Sequence, residues 1–121
     1  MKLLFVDDSI DICEVVTIAL QPSGWQVRVA YDGVQALAKV AEDKPDLILL
    51  DVRMPLLDGP GTLRRLRSDP LTADIPVIFM TGLGRQQDLE RLEAMNPAGL
   101  LTKPFMPFEL QRLIEACMAE R

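Results

Sequence analysis

The stretch "LLFVDDSIDI" (residues 3–12) sets four apolar side chains in a row and then two adjacent carboxylates, Asp7 and Asp8. A short apolar run without alternation reads as a strand covered on both faces. Ser9, directly after the carboxylates, is a good helix N-cap, and Ile12, Cys13, Val16 and Leu20 then recur at helical spacing. The stretch therefore reads as strand, acidic corner, helix. Adjacent carboxylates repel each other, so the corner needs positive charge nearby.

Outward from it the same alternation repeats. Strands are expected at 2–6, at "WQVRVA" (25–30), "DLILL" (46–50), "IPVIFM" (75–80) and "AGLLT" (98–102). Helical patterns lie between them: from Ser9 toward Pro22 and Gly24, over 33–43, near 60–68, over 85–95 up to Asn96-Pro97, and from Pro107 to the end. The second should present Val34, Leu37, Ala38 and Ala41 on one face, and the last should turn Leu110, Leu113, Ile114 and Cys117 inward. Strict β–α alternation over five units implies one doubly wound α/β domain, a five-stranded parallel sheet with helices on both faces, spanning residues 1–121. No internal repeat, low-complexity segment or linker interrupts it.

Composition narrows the function classes. A formal net charge of -5 argues against direct nucleic-acid binding and against docking on an anionic membrane. No apolar stretch approaches the roughly 20 residues of a membrane span, and Asp7 and Asp8 interrupt the opening before a signal-peptide core forms. A cytoplasmic location is the expectation. Cys13 and Cys117 fall on apolar helix faces and are expected as buried thiols. The chain has no histidine, which removes a phosphohistidine, a Ser–His pair and imidazole metal ligands.

Polar residues collect at the strand ends. Asp7 and Asp8 follow strand one, Asp51 ends strand three in "LILLDVRMP", Thr81 ends strand four in "VIFMTG", and Lys103 ends strand five in "LLTKPF". Ligands of doubly wound sheets gather at this carboxyl edge. Three carboxylates with no histidine or cysteine pair suit a hard divalent ion such as Mg²⁺ rather than zinc. Metal, lysine and hydroxyl together suit a phosphoryl group, with one carboxylate as nucleophile.

In order and spacing, "VDDS" (6–9), "DVRMPLLDG" (51–59), "MTG" (80–82) and "TKPF" (102–105) resemble the receiver domain of two-component response regulators, a flavodoxin-like fold, over essentially the whole chain. The resemblance implies Asp51 as phosphoacceptor, taking a phosphoryl group from a histidine kinase or a histidine phosphotransfer protein. It implies Mg²⁺ (or Mn²⁺) held directly by Asp8, Asp51 and the main-chain carbonyl of Arg53, with Asp7 acting mostly through water. Thr81 and Lys103 would each meet a phosphoryl oxygen, and Gly82 would be kept small so as not to obstruct the pocket. Pro104 matches a proline that often follows a cis peptide bond. Met54, Pro55 and Gly59 would shape the turn after Asp51, Gly59 through a backbone conformation that a Cβ penalises. The implied function is a signalling switch whose helix-four, strand-five, helix-five face selects a downstream protein target or a second copy in a homodimer.

Departures from the family pattern also count. Leu100 stands where the family commonly carries Tyr or Phe, which puts a ring-flip version of the switch in doubt. Asn96-Pro97 replaces a usual Gly-Ala and should stiffen the approach to strand five. Arg53 places a cation at the pocket mouth, either solvated or tuning access of water to the acyl phosphate. The cluster "LRRLR" (63–67) reads as a solvated helix face, and Trp25 as packing. Intrinsic autophosphorylation and autodephosphorylation are implied, without turnover as an enzyme. Competing readings are a docking module never phosphorylated, an aspartyl-phosphate phosphatase and a flavin carrier. The phosphatase lacks its usual acid spacing and cap; the flavin carrier lacks a hydroxyl-rich phosphate loop.

Overall fold

In a computed structural model of the chain, residues 1–82 and 86–120 are described. Five strands, β1 (Lys2–Val6), β2 (Gln26–Ala30), β3 (Leu47–Asp51), β4 (Val77–Thr81) and β5 (Gly99–Thr102), alternate with five helices. These are α1 (Ile10–Leu20), α2 (Gly33–Glu42), α3 (Gly59–Ser68), α4 (Gln86–Glu93) and α5 (Pro107–Ala119), with one turn of 3₁₀ helix at Gln21–Ser23. All strand pairs are parallel, in the order β2-β1-β3-β4-β5.

The period-two alternation of the strands sorts the core into two layers. Leu3, Phe5, Leu47, Leu49, Ile78 and Met80 face α1 and α5, where Cys13, Val16, Leu20, Leu110, Ile114 and Cys117 complete one cluster. Leu4, Val6, Ile48, Leu50, Val77 and Phe79 face the other way, toward Ala36, Val40, Leu63, Leu66 and Leu92. Burial on both faces explains why these strands read as near-continuous apolar runs. Leu113 and Trp25 pack at the edge of the first cluster, and both cysteines are buried and free.

Polar residues close the helix ends. Ser9 Oγ accepts from the Ile12 N–H at 3.3 Å, Asp32 Oδ1 from Gln35 at 2.7 Å, and Asp58 Oδ1 from Gly61 at 2.8 Å. At α5, Pro107 occupies the first turn and the Glu109 carboxylate accepts from the Met106 N–H at 3.0 Å.

Two expectations are corrected here. Helix α2 buries Gly33, Ala36 and Val40, while Val34 is 53% exposed and Ala38 and Ala41 also face outward. The segment offers two apolar stripes, and a tight contact selects one: a Cβ on Gly33 would lie 2.3 Å from Thr62 Oγ1 and 2.5 Å from the Leu57 carbonyl oxygen. Strand β4 begins at Val77, two residues later than the apolar run, because Pro76 has no N–H to place in a ladder. Helix α4 spans Gln86–Glu93; its expected start at 85 lies outside the described residues, and Ala94–Asn96 form its tightened C-terminal turn.

Candidate phosphoryl and metal site

Strand register decides which side chains meet. Val6 pairs with Leu50, so one step further Asp7 comes alongside Asp51. Thr81 pairs with Thr102, so Lys103 projects from the next position, its N–H donating to the Thr81 carbonyl at 2.7 Å. Asp51, Val52, Arg53, Thr81, Gly82 and Lys103 line a cleft of about 330 Å³ at the carboxyl edge of the sheet. One carboxylate oxygen each from Asp7, Asp8 and Asp51 lies within 4.8 Å of the others.

The charges are unevenly placed. Asp7 is 1% exposed and Asp51 7%, whereas Asp8 faces solvent. Lys103 Nζ lies 2.5 Å from Asp7 Oδ2 and 3.4 Å from Asp51 Oδ2, so one ammonium bridges both buried acids. Asp7 is further fixed by the Ser9 N–H, which donates to its Oδ1 at 3.0 Å. Burial, and then the charge of Asp7, push the Asp51 carboxyl above its ordinary value, partly offset by Lys103. Burial alone would lower Lys103, but the hydrogen bond to Asp7 and the charges of Asp51 and Asp7 outweigh it and raise the ammonium. Behind Asp7 lies the Cys13 thiol, 3.4 Å from its carbonyl oxygen; burial and then the Asp7 charge push this thiol up to about 11.

The loop after Asp51 is built differently from the sequence expectation. Gly59 does not adopt a left-handed backbone; that conformation belongs to Leu56, at φ 69° and 82% exposed. Gly59 is required by proximity instead, since a Cβ there would lie 2.5 Å from the Asp51 carbonyl oxygen. The start of α3 therefore presses directly on the main chain of the central acid. Among the described residues, a Cβ on Gly82 would meet nothing within 4 Å.

The remaining expected residues fall around this centre. Arg53 is exposed at the cleft mouth, and Lys103–Pro104 is a cis peptide bond. Leu100 is half-buried against the α2–α3–α4 core layer, on the strand pair that carries Thr81 and Lys103. Asn96 occupies a left-handed position at φ 55°, which an asparagine tolerates, and so supplies the bend that a glycine commonly makes. Sequence reading did not find the Ser9 amide or the Cys13 thiol as partners of Asp7. The i to i+2 spacing of Asp7 and Ser9 was the available signal for the first.

The fit to a divalent ion rests on the donor set: three carboxylates clustered within reach of one small cation, two of them buried. Hard oxygen donors in that arrangement match Mg²⁺.

Fold and site together define a receiver module of the kind used in phosphoryl signalling. The family model described as "Response regulator receiver domain" matches residues 3–115, and the chain belongs to that family. The transcriptional regulator RpaA of Synechocystis is 38% identical over 97% of this chain and 48% of its own length. The phosphate regulon regulator PhoB of Pseudomonas aeruginosa is 37% identical over 96% of the chain and 51% of its own. The chain thus spans about half the length of these relatives. Among solved structures, the chemotaxis response regulator CheY4 of Vibrio cholerae superposes with TM-score 0.89 at 33% identity, covering 96% of this chain and 97% of that one. A response regulator from Chloroflexus aurantiacus gives TM-score 0.90 at 31% identity, with 98% and 97% covered. This is a receiver domain of a two-component response regulator. Among the described residues no helix is long and apolar enough to cross a membrane.

Proposed function

We propose that this domain is a phosphorylation-dependent switch in which Asp51 accepts a phosphoryl group from a phosphohistidine on a partner kinase or phosphotransfer protein. The observation that supports this most is the buried Asp7–Lys103–Asp51 bridge, with Asp8 beside it and an open cleft above Asp51. One Asp51 oxygen attacks phosphorus, the donor's P–N bond breaks, and the imidazole departs with the bonding pair. The product is an acyl phosphate on Asp51. A divalent ion held by Asp7, Asp8, Asp51 and the Arg53 carbonyl would neutralise phosphoryl oxygens.

Lys103 has a double role in this reading. At rest its ammonium sits closer to Asp7 than to Asp51 and keeps the two acids compatible. Once Asp51 carries the phosphate, the same ammonium pairs with a phosphoryl oxygen, and the Thr81 hydroxyl donates to another. Both groups are on the β4–β5 pair, so the change is transmitted to α4, β5 and α5. The phosphate moves this equilibrium only to the extent that it binds the active arrangement more tightly. With Leu100 aliphatic, the coupling runs through displacement of Thr81 and α4 rather than through an aromatic ring.

The donor protein would approach over α1 and the β5–α5 turn. There Ile12, Val15 and Ala19 face Phe105, Pro107 and Leu110 across a largely apolar cleft of about 420 Å³ that reaches Lys103. Output would pass to a protein target through the α4–β5–α5 face, or through a second copy bound there.

The test is labelling by acetyl phosphate with Mg²⁺, read by intact mass. The protein gains a single phosphoryl group; Asp51→Asn gains none; chelation of the metal suppresses labelling. A wild-type protein left unmodified, with no response to beryllofluoride, overturns the proposal.

A further inference from the structure

Helix α4 is joined to the rest of the domain differently from its neighbours. Leu92 is its one buried side chain. Beneath it, a groove of about 590 Å³ separates Asp88, Arg91 and Met95 from Pro60 and Arg64 of α3 and extends to Thr81. The helix thus stands off from α3 along much of its length, with open space between them.

At its C-terminal end the separation closes. Arg67, in the last turn of α3, donates from one guanidinium nitrogen to the Met95 carbonyl and from the other to the Asn96 carbonyl, the latter at 2.6 Å. These carbonyls belong to the turn just past the end of α4, and a planar guanidinium fork reaches both at once with charge-assisted hydrogen bonds. The left-handed Asn96 and the following Pro97 fix the direction of those carbonyls before the chain enters β5, where the Ala98 N–H donates to Val77 at 2.7 Å. The cluster "LRRLR" is therefore not uniformly solvated: Leu63 and Leu66 are core, Arg64 faces the groove, Arg65 faces solvent, and Arg67 spans to another helix.

We infer that Arg67 is a positioning residue that pins the C-terminal end of α4 to α3 and favours the resting arrangement of the switch. This rests on the phosphorylation reading above. Movement begun at Thr81 draws α4 toward the groove, and with Leu92 as the one buried anchor that shift withdraws the Met95 and Asn96 carbonyls from the Arg67 fork. Loosening the pin makes the resting arrangement less favourable, so less of the phosphate's binding energy is consumed in leaving it.

The experiment compares wild type, Arg67→Ala and Arg67→Lys by amide hydrogen exchange and by titration with beryllofluoride and Mg²⁺. In Arg67→Ala without ligand, the α4 amides exchange about tenfold faster while β1 and β3 amides keep their wild-type rates, as expected for loss of a charge-assisted contact in one local unit. Beryllofluoride binds Arg67→Ala about threefold more tightly. Arg67→Lys, which keeps the charge but not the fork, falls between. Unchanged exchange in α4, equal acceleration in every element, or beryllofluoride affinity that is unchanged or weaker overturns the inference. If the wild type itself ignores beryllofluoride, the phosphorylation reading fails; the ligand-free exchange rates still decide whether Arg67 holds α4.

Discussion

Helices α1 and α5 each send three side chains into the core, whereas α4 sends in Leu92 alone. Both regions flank the same cleft. On the α1–α5 side the acids sit in a rigid frame, with Asp7 held by Ser9 and Lys103 and backed by Cys13. On the α4 side a groove underlies the helix. For the proposed switch, unequal packing would keep the metal and phosphate geometry fixed where burial is densest and let the signal leave where it is sparsest.

The sharpest way to break this comparison is to cut equivalent anchors on the two sides. Ile114→Ala, at 1% exposure in the dense layer, should cost about 4 kcal/mol of stability in urea denaturation. Leu92→Ala should cost about 2 kcal/mol and leave acetyl phosphate labelling of Asp51 intact. Equal costs would mean that α4 is held as firmly as α5.

Lys103→Met probes the bridge itself. It leaves Asp7 buried without its cation, so about 3 kcal/mol is lost at pH 7, and added Mg²⁺ should restore part of it. An unchanged urea midpoint would show that Asp7 does not need the ammonium.

Asp51→Asn acts in the opposite direction. Burial and Asp7 raise the Asp51 carboxyl in the folded state. A carboxyl so raised supports the fold below its unfolded-state value and loses that support as pH climbs through the raised one. At neutral pH the ionised acid therefore weakens the fold, and the asparagine variant should show a higher urea midpoint. The difference should disappear as the pH falls below about 4, where the acid is protonated in the unfolded chain too. A variant less stable than wild type at pH 7 would contradict the electrostatic picture.

The smallest effect is expected at the loop after Asp51. Leu56 is exposed and left-handed, so Leu56→Gly relieves backbone strain and removes no packing. The gain should be roughly 0.5 kcal/mol once the added freedom of the unfolded chain is subtracted. A loss of stability would mean that Leu56 makes contacts its exposure does not suggest.

Much of this architecture can be read from the chain because the governing interactions are local or periodic. Two-sided burial makes β1, β3 and β4 apolar throughout, and a cap or a proline marks most helix starts. The site is readable for a related reason: Asp7, Asp51, Thr81 and Lys103 each end or follow a strand, and parallel register brings strand ends together. What escaped reading depends on contacts between distant segments. The rotation of α2 is set by Gly33 against Leu57 and Thr62, and the role of Gly59 by the Asp51 main chain. Arg67 reaches carbonyls 28 and 29 residues further on, so its partner exists only once α3 and α4 are packed.

The Cys13 thiol, pushed up to about 11, has a practical consequence. At neutral pH the thiolate is scarce and the side chain is buried, as is that of Cys117. Both native sulfurs should therefore ignore maleimides and mild oxidants. A single cysteine introduced on the outer surface of α4 could then take a spectroscopic label selectively, with no need to remove either native one.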